Sequence, residues 1–389
     1  EDTIAVQEDI AEKIAEAMNV VLDDEKREAM RQAGLRDVEA FIALQKGIQL
    51  YETAHGAPDM LAKLREANDY FEVVQQRVPD YAPAYLLHSD QYIHLLMSDA
   101  TGQSLEGALA EDVAAAMGRA VQDTAAGVAK SKNEDARSNA ELDLAFISSD
   151  WQGMPARIER FLAQSGCEEI TWVSNIGSLT GYAQRLIPRD EEYLSCDPLS
   201  SSSWRFLVRD NLWAGNPAGA LEVARQGEQR APGSWLGLQM VSALVALGDF
   251  DAADQVATAT FHNDEDIAIT HMMVAAARGD RETAERMLEE FLAGPLPDHY
   301  WGLIFSAWAG NRELANSSAA TIDRHVFGSP ALITIALWCT CGEPWDLQVT
   351  PKFAADIAES GLAWPPISPI RFPLKDQVAE IRTSNSGTN

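Results

Sequence analysis

Five dipeptides of glycine followed by a polar residue recur in the C-terminal half of this 389-residue chain. They are Gly215-Asn216, Gly248-Asp249, Gly279-Asp280, Gly310-Asn311 and Gly342-Glu343. Successive glycines lie 33, 31, 31 and 32 residues apart. A period in the thirties is typical of stacked helical hairpins, because one hairpin cannot bury its apolar face alone. Each glycine is expected to end a first helix in a left-handed backbone conformation, and the polar residue then opens the turn.

Apolar residues elsewhere recur at the three- and four-residue spacing of helices. Ile10, Ile14, Met18 and Val21 trace one helical face, and charged residues lie on the other. Asn-Gly and Asp-Gly, the strongest signals for a β-hairpin turn, do not occur in the sequence. The sequence therefore predicts an all-α fold, built as a superhelical array of antiparallel helix hairpins.

The repeated units resemble tetratricopeptide repeats. In the unit that starts at Ser201, Trp204 and Leu207 match the first helix of that motif, and Gly215 matches its turn. Small residues are expected in the second helix, where two helices cross closely. They are Ala220, Ala224, Ala253, Ala257, Ala284 and Ala315. The glycine usual in the first helix is replaced by Val208, Val241 and Met272. The resemblance implies a tetratricopeptide-like α-solenoid.

The chain divides into four predicted segments. Residues 1–35 are expected to form a linker helix, 36–200 irregular helical repeats, 201–360 the tetratricopeptide-like repeats, and 361–389 a Pro-rich extended tail. Within the irregular segment we predict helices near Leu105–Lys130, Asn133–Ser148, Met154–Gln164 and Thr171–Leu186, and a break at Ser195–Ser203.

Three further stretches resemble the C-terminal repeat region of bacterial winged-helix transcriptional regulators and class III adenylate cyclases. Asp2–Ala11 resembles their linker helix, Asp80–Tyr85 their first full repeat, and Trp364–Leu374 their tails. The resemblance implies that an output domain precedes Glu1, with or without a membrane anchor. This chain is then expected to be the sensory or partner-binding half of a larger bacterial signalling protein, in the cytoplasm or the periplasm.

Charge excludes one class of function and argues against another. The chain has 59 acidic and 30 basic residues and a formal net charge of -29. Such a chain repels phosphate backbones, so we expect no binding of nucleic acid by this segment. It also repels an anionic membrane surface, and no apolar run approaches the roughly 18 residues of a membrane span. We therefore expect no membrane insertion by this segment.

Motifs that carry chemistry are scarce. The sequence has no phosphate-binding glycine loop and no nucleophile elbow. None of the seven histidines forms H-E-x-x-H, and the six-residue spacing of His88 and His94 puts them on different helix faces. Scattered surface or core histidines are therefore expected, with no metal centre and no cofactor. Cys339 and Cys341 are read as small buried residues or as one optional disulfide.

The aromatic and cationic residues suggest a binding groove. Helical repeats line a concave surface with their first helices, and Trp, Tyr and Arg are common at binding hot spots. The residues expected to bind a protein or peptide ligand in this groove are Arg205, Arg209, Trp213, Trp235, Gln239, Tyr300, Trp301 and Trp308. Arg205 and Arg209 lie one turn apart and are expected to hold a carboxylate. The opposing interpretation is that the aromatic residues only fill a tightly curved superhelix.

Three functions stay open at this point, and one of them is a structural subunit whose only role is to hold an assembly together. The favoured one is a non-catalytic scaffold for protein–protein interaction, and chance pairing among so many acidic residues accounts for the adjacent carboxylates. The alternative is an all-helical carbohydrate-active enzyme that uses tryptophan platforms and an acid/base carboxylate pair.

Overall fold

The computed structural model describes residues 35, 37–55, 57, 59–166, 172–231, 236–260, 264–294 and 298–372. The helices are α1 (Val38–Ala54), α2 (Met60–Arg77), α3 (Ala82–Thr101), α4 (Ala110–Lys130), α5 (Glu134–Ile147), α6 (Met154–Leu162), α7 (Val173–Gly177), α8 (Ala183–Cys196), α9 (Ser201–Trp213), α10 (Pro217–Arg230), α11 (Gly237–Leu247), α12 (Phe250–Thr260), α13 (Asp264–Arg278), α14 (Arg281–Leu292), α15 (His299–Trp308), α16 (Arg312–Asp323), α17 (Gly328–Cys339) and α18 (Pro351–Ser360). These ranges contain no strand. The predicted linker helix falls on residues 1–35, which lie outside the described residues except for Leu35.

From α9 onward the helices pack as consecutive hairpins. Each helix up to α17 contacts the next one along the chain, and the first helices α9, α11, α13, α15 and α17 also contact one another in series. This is the contact pattern of a hairpin array, in which every unit completes the core of its neighbours. The predicted all-α architecture is confirmed. The superhelical path and the tetratricopeptide assignment stay predictions.

The glycine turns have the predicted backbone conformation. Gly215, Gly248, Gly279, Gly310 and Gly342 have φ angles of 78°, 77°, 83°, 73° and 77°. A residue with a Cβ atom is strained there, whereas glycine is not. In the first four turns the next residue caps the following helix, because its side-chain oxygen accepts a backbone N–H three residues on. In each repeat, the glycine therefore marks the end of one helix and the residue after it marks the start of the next.

The small second-helix residues also take their predicted place. Ala220, Ala224, Ala253, Ala257 and Ala315 are fully buried, and Ala284 is almost so. A larger side chain at these positions would push the paired helices apart.

In the irregular segment, three of the four predicted helices are present as α4, α5 and α6. The fourth, predicted over Thr171–Leu186, is wrong in extent. α7 runs into a π-helical turn at Ser178–Tyr182, where Gly181 has a φ of 99°. α8 follows and contains Pro188 in its second turn without ending there. The predicted break lies between α8 and α9, where the Ser200 side chain caps α9.

The last hairpins pack back onto helices from the first half of the chain. α17 contacts α3, α7 and the π-helical turn. The Trp151 ring, just before α6, lies 6.2 Å from the Phe353 ring of α18. The sequence predicts stacking in line and gives no indication of this return contact. Among the described residues, no helix is both long enough and apolar enough to cross a bilayer.

Residues 361–372 form no helix, as the Pro-rich composition predicts, but some of their side chains belong to the core. Ile370 and Phe372 are buried, and the Phe372 ring stacks on Trp308 with the centroids 5.7 Å apart. Residues 373–389 of the predicted tail lie outside the described residues. Cys339 and Cys341 form a disulfide, the second of the two interpretations above.

Candidate functional site

A polar site forms where the end of α1, the middle of α3 and the start of α9 meet. The Ser201 hydroxyl of α9 donates to the Glu52 carboxylate of α1 at 3.3 Å, across 149 residues of sequence. α2 packs against both α1 and α3, so it holds these two helices near each other. Residues far apart in sequence therefore share one site.

The core of the site is a group of three side chains, His55, Asp90 and His94, which we call the His–Asp–His cluster. Asp90 and His94 are four residues apart on α3, so they project from the same helical face. His55 follows the last residue of α1. The Asp90 Oδ2 atom lies 3.1 Å from His55 Nε2 and 3.4 Å from His94 Nε2. The two imidazole rings are edge to face, with their centroids 5.1 Å apart.

Neighbouring groups fix the orientation of these side chains. His55 Nδ1 donates to the backbone carbonyl of Tyr51 at 2.9 Å. The Trp172 ring packs edge to face on His94 at 5.6 Å, and its side chain also hydrogen-bonds to Asp90. The Tyr51 ring packs edge to face on His55 at 4.7 Å, so an aromatic ring packs against each of the two histidines.

Burial and charge shift the pKa of each member. Burial opposes ionisation of Asp90, but the two histidines and the hydrogen bond from Trp172 hold its pKa below the ordinary value. Burial lowers the pKa of His94 to about 4, against the attraction of Asp90. Burial also opposes protonation of His55, but its hydrogen bond to Asp90 and the charge of that carboxylate raise its pKa. At neutral pH the cluster therefore holds an ionised carboxylate beside a neutral His94.

Arg205 of α9 lies next to the cluster, and the negative charge of Glu52 acts on it. Its guanidinium makes no hydrogen bond or ion pair with any residue that the structure describes, and its Nε atom is buried. Burial lowers the pKa of Arg205, while the field of Glu52 opposes that effect. Gln239 of α11 donates to the Arg205 carbonyl at 3.2 Å, and its own Oε1 is buried with no partner. Trp213, two turns along α9, also has a buried Nε1 with no hydrogen-bond partner among the residues that the structure describes.

Arg209 was predicted to line the binding groove, but the structure places it in the protein interior. It is buried, and it donates to Asn175 Oδ1 at 2.7 Å and to Asp210 Oδ1 at 3.3 Å. Its charge is therefore used inside the protein, because an arginine paired with buried acceptors is not free to hold a ligand carboxylate. The expectation that Arg205 and Arg209 act together on a carboxylate is corrected to Arg205 alone.

Beneath Arg209 lies a pair of buried carboxyl groups, Asp190 and Asp210. Burial raises the pKa of Asp190 well above its ordinary value, and the negative charge of Asp210 adds to that effect. The two carboxyl groups lie close enough for each to shift the pKa of the other. Ser178 of the π-helical turn donates to Asp210. The exposed fractions of Asp190 and Asp210 are 1% and 0%, so neither reaches solvent.

The remaining predicted groove residues do not form one open surface. Trp308 is buried and donates from Nε1 to the Cys339 carbonyl at 2.9 Å, so it belongs to the core and its prediction as a groove residue is corrected. Tyr300 is buried and Trp301 is half-buried, with their rings edge to face. Trp235 lies outside the described residues.

Sequence reasoning missed the cluster. The expectation of scattered histidines is wrong for His55 and His94, because α1 and α3 bring them together. The i, i+4 spacing of Asp90 and His94 was the available signal, and it is weak by itself. No periodicity indicated that His55 would join them.

Comparisons with known proteins give no relative from which a role for these residues can be transferred. No protein-family model matches the chain, and neither does any curated protein or solved structure.

Proposed function

We propose that this chain is a non-catalytic helical-repeat scaffold that binds a protein or peptide partner, with Arg205 as the anchor for a carboxylate of that partner. The binding surface is the face of α9 and α11 that carries Arg205, Trp213 and Gln239. A further part of the proposal is that the scaffold serves as the sensory or partner-binding half of a larger bacterial signalling protein.

The observation that carries the proposal is the set of polar atoms without partners on this face. Buried polar groups are almost always hydrogen-bonded, so each exception calls for an explanation. Here Arg205 Nε and Trp213 Nε1 can donate, and Gln239 Oε1 can accept. Arg205 and Trp213 are about 12 Å apart along the helix at 1.5 Å per residue. An extended peptide or a partner helix can supply a carboxylate and backbone groups over that length.

The carboxyl pair supports a non-catalytic role over the carbohydrate-active alternative. Glycoside hydrolases hold their two carboxyl groups about 5–9.5 Å apart so that the sugar and a water fit between them. Asp190 and Asp210 lie close together and are closed to solvent. This pair therefore serves packing and not glycosidic bond cleavage.

A thermal-shift screen of the purified chain tests the proposal. The probes are a panel of ten-residue acidic peptides and a panel of oligosaccharides. We expect one or more acidic peptides to raise the melting temperature of the natural chain, because a ligand that binds only the folded state stabilises it. The Arg205→Met variant is expected to lose that shift.

Arg225→Met is the matched control, because Arg225 is exposed on the second helix α10. It is expected to keep the full shift. A shift with oligosaccharides and none with peptides would contradict the proposal, and so would an unchanged peptide shift in Arg205→Met.

A further inference from the structure

We propose that the His–Asp–His cluster is a binding site for a divalent transition metal ion of the zinc class. His55 Nε2, His94 Nε2 and a carboxylate oxygen of Asp90 are the ligands. This proposal does not depend on the proposed function, since it is drawn from the geometry of α1 and α3 alone.

The distances fit tetrahedral coordination. His and carboxylate ligands bind Zn²⁺ at about 2.0–2.2 Å, so two ligand atoms at the corners of a tetrahedron lie about 3.3 Å apart. The observed separations of Asp90 Oδ2 from His55 Nε2 and His94 Nε2 are 3.1 and 3.4 Å. All three ligand atoms lie within 4.8 Å of one another. Small side-chain rotations therefore suffice to close the site around an ion.

The hydrogen bonds of His55 point to a cation. The Tyr51 carbonyl can only accept, so His55 Nδ1 carries the proton of that 2.9 Å bond. The Nε2 atom then faces the Asp90 carboxylate at 3.1 Å, where either a second ring proton or a metal ion can lie between the two atoms. A metal ion at that place accepts both lone pairs.

The surroundings match those of known metal sites. A histidine that ligates a metal usually donates its other ring N–H to a backbone carbonyl or a carboxylate, which fixes the tautomer. His55 does this through Tyr51. The Asp90 carboxylate is hydrogen-bonded by the Trp172 side chain, which orients it in the same way. The rings of Tyr51 and Trp172 pack against the two histidines.

The ligand set favours particular metals. Two imidazoles and one carboxylate suit zinc, iron(II), cobalt(II) or nickel(II), whereas magnesium and calcium prefer oxygen ligands. Three protein ligands leave a fourth position open, as in catalytic zinc sites. Arg205 and Glu52 lie near enough for their charges to interact with His55. Water or an anionic group of a bound molecule would complete the coordination.

Isothermal titration calorimetry of the full chain, prepared without a histidine tag and treated with a chelator, tests the proposal. We expect ZnCl₂ to bind with one site per chain. Asp90→Asn and His94→Ala are expected to weaken binding by more than about 100-fold, since loss of an outer-shell partner alone weakens metal sites by about 10–100-fold. MgCl₂ and CaCl₂ are expected to give no binding heat at the same concentrations.

His299→Ala is the matched control, because His299 is a half-buried histidine at the start of α15, away from the cluster. It is expected to bind zinc like the natural chain. Circular dichroism of each variant shows whether it is folded, and Asp90→Asn keeps the shape of the side chain if His94→Ala does not fold. No zinc binding by the folded natural chain would overturn the proposal. Equal binding by the natural chain and folded Asp90→Asn would also overturn it.

Cobalt(II) gives an independent measurement. Its visible absorption distinguishes tetrahedral from octahedral coordination, so titration of the apo chain with CoCl₂ reports geometry and not only affinity. We expect the stronger absorption of a four-coordinate ion with nitrogen and oxygen ligands, and its loss in His94→Ala. A weak octahedral spectrum that all variants share would show adventitious surface binding and would contradict the proposal.

Discussion

The Nε2 atom of His325 lies 2.9 Å from a carboxylate oxygen of Asp99, although 226 residues separate them. This contact joins the end of α3 to the turn before α17. Both side chains are partly exposed, so the pair itself contributes about 0–1 kcal/mol. The contact matters because it shows that the last hairpins pack against the first half of the chain.

The return contact predicts that a mutation near the C-terminus affects helices near the middle of the sequence. Phe353 of α18 is fully buried between Trp151, Trp345 and Trp364. Phe353→Ala is expected to lower the free energy of unfolding by about 3–5 kcal/mol. Hydrogen exchange read by mass spectrometry is expected to rise around Trp151 as well as in α17 and α18, because these residues share one core.

Val326→Ala is the control, since Val326 is 53% exposed in the neighbouring turn. It is expected to change stability by no more than about 0.5 kcal/mol. Faster exchange confined to α17 and α18 in Phe353→Ala would show an open array without the return contact.

The two arginines of α9 are predicted to respond differently to the same substitution. Arg209→Met removes a buried partner of Asp210 and Asn175, and it is expected to cost about 3–5 kcal/mol. Arg205→Met removes a side chain without a hydrogen bond among the described residues and is expected to cost about 1 kcal/mol or less. Urea unfolding of both variants measures the difference. Equal losses would mean that Arg205 is held by the protein and is not available to a ligand.

The carboxyl pair predicts a pH dependence of stability. The pKa of Asp190 is raised in the folded state, so the folded chain holds this proton more tightly than the unfolded chain does. Stability is therefore lost as pH rises from the ordinary pKa of 3.8 towards the folded pKa. Asp190→Asn removes that loss. The variant is expected to gain stability relative to the natural chain as pH rises, by about 1.4 kcal/mol for each unit of pKa shift.

Asp280→Asn gives the opposite sign and serves as the comparison. The hydrogen bonds from Thr283 lower the pKa of Asp280, so its contribution is present above the ordinary pKa and is lost as pH falls. Urea unfolding between about pH 2 and about pH 8 compares the three proteins. A constant difference between Asp190→Asn and the natural chain over this range would contradict the raised pKa of Asp190.

Two glycine-to-alanine substitutions, one in a repeated turn and one inside a helix, are predicted to change the free energy of unfolding in opposite directions. Gly248 has a φ of 77° and open space around its Cα, so Gly248→Ala is strained by backbone conformation alone. It is expected to lower the free energy of unfolding by about 1–2 kcal/mol. Gly118 lies inside α4, also with open space around it, and Gly118→Ala is expected to raise that free energy by about 0.5–1 kcal/mol. Thermal unfolding of both variants checks the signs.

The local features of the fold were predictable because they depend on neighbouring residues. The glycine turns, their capping residues and the buried alanines each follow from a period of 31–33 residues. The exceptions also have local causes: Gly181 lies inside the segment that was predicted as one helix, and the π-helical turn there separates α7 from α8, which continues past Pro188.

The candidate site was far less predictable because it depends on long-range packing. Glu52 and Ser201 meet across 149 residues, and no sequence period encodes that contact. The prediction of Arg205 as a binding residue stays a prediction, while Arg209 and Trp308 turned out to have internal partners. Sequence spacing predicts the helix face on which a side chain lies. It does not predict which buried acceptor on another helix that side chain contacts.

The central claim is that α1, α3 and α9 meet at one polar site. A crystal structure of the chain grown with ZnCl₂, with anomalous data collected at the zinc absorption edge, tests it most directly. The account predicts one strong anomalous peak about 2.0–2.2 Å from His55, Asp90 and His94 ligand atoms, with Glu52 and Ser201 in contact beside it. An ordered chain in which α1 and α9 lie apart, or in which His55 and His94 do not share the ion, would contradict the account.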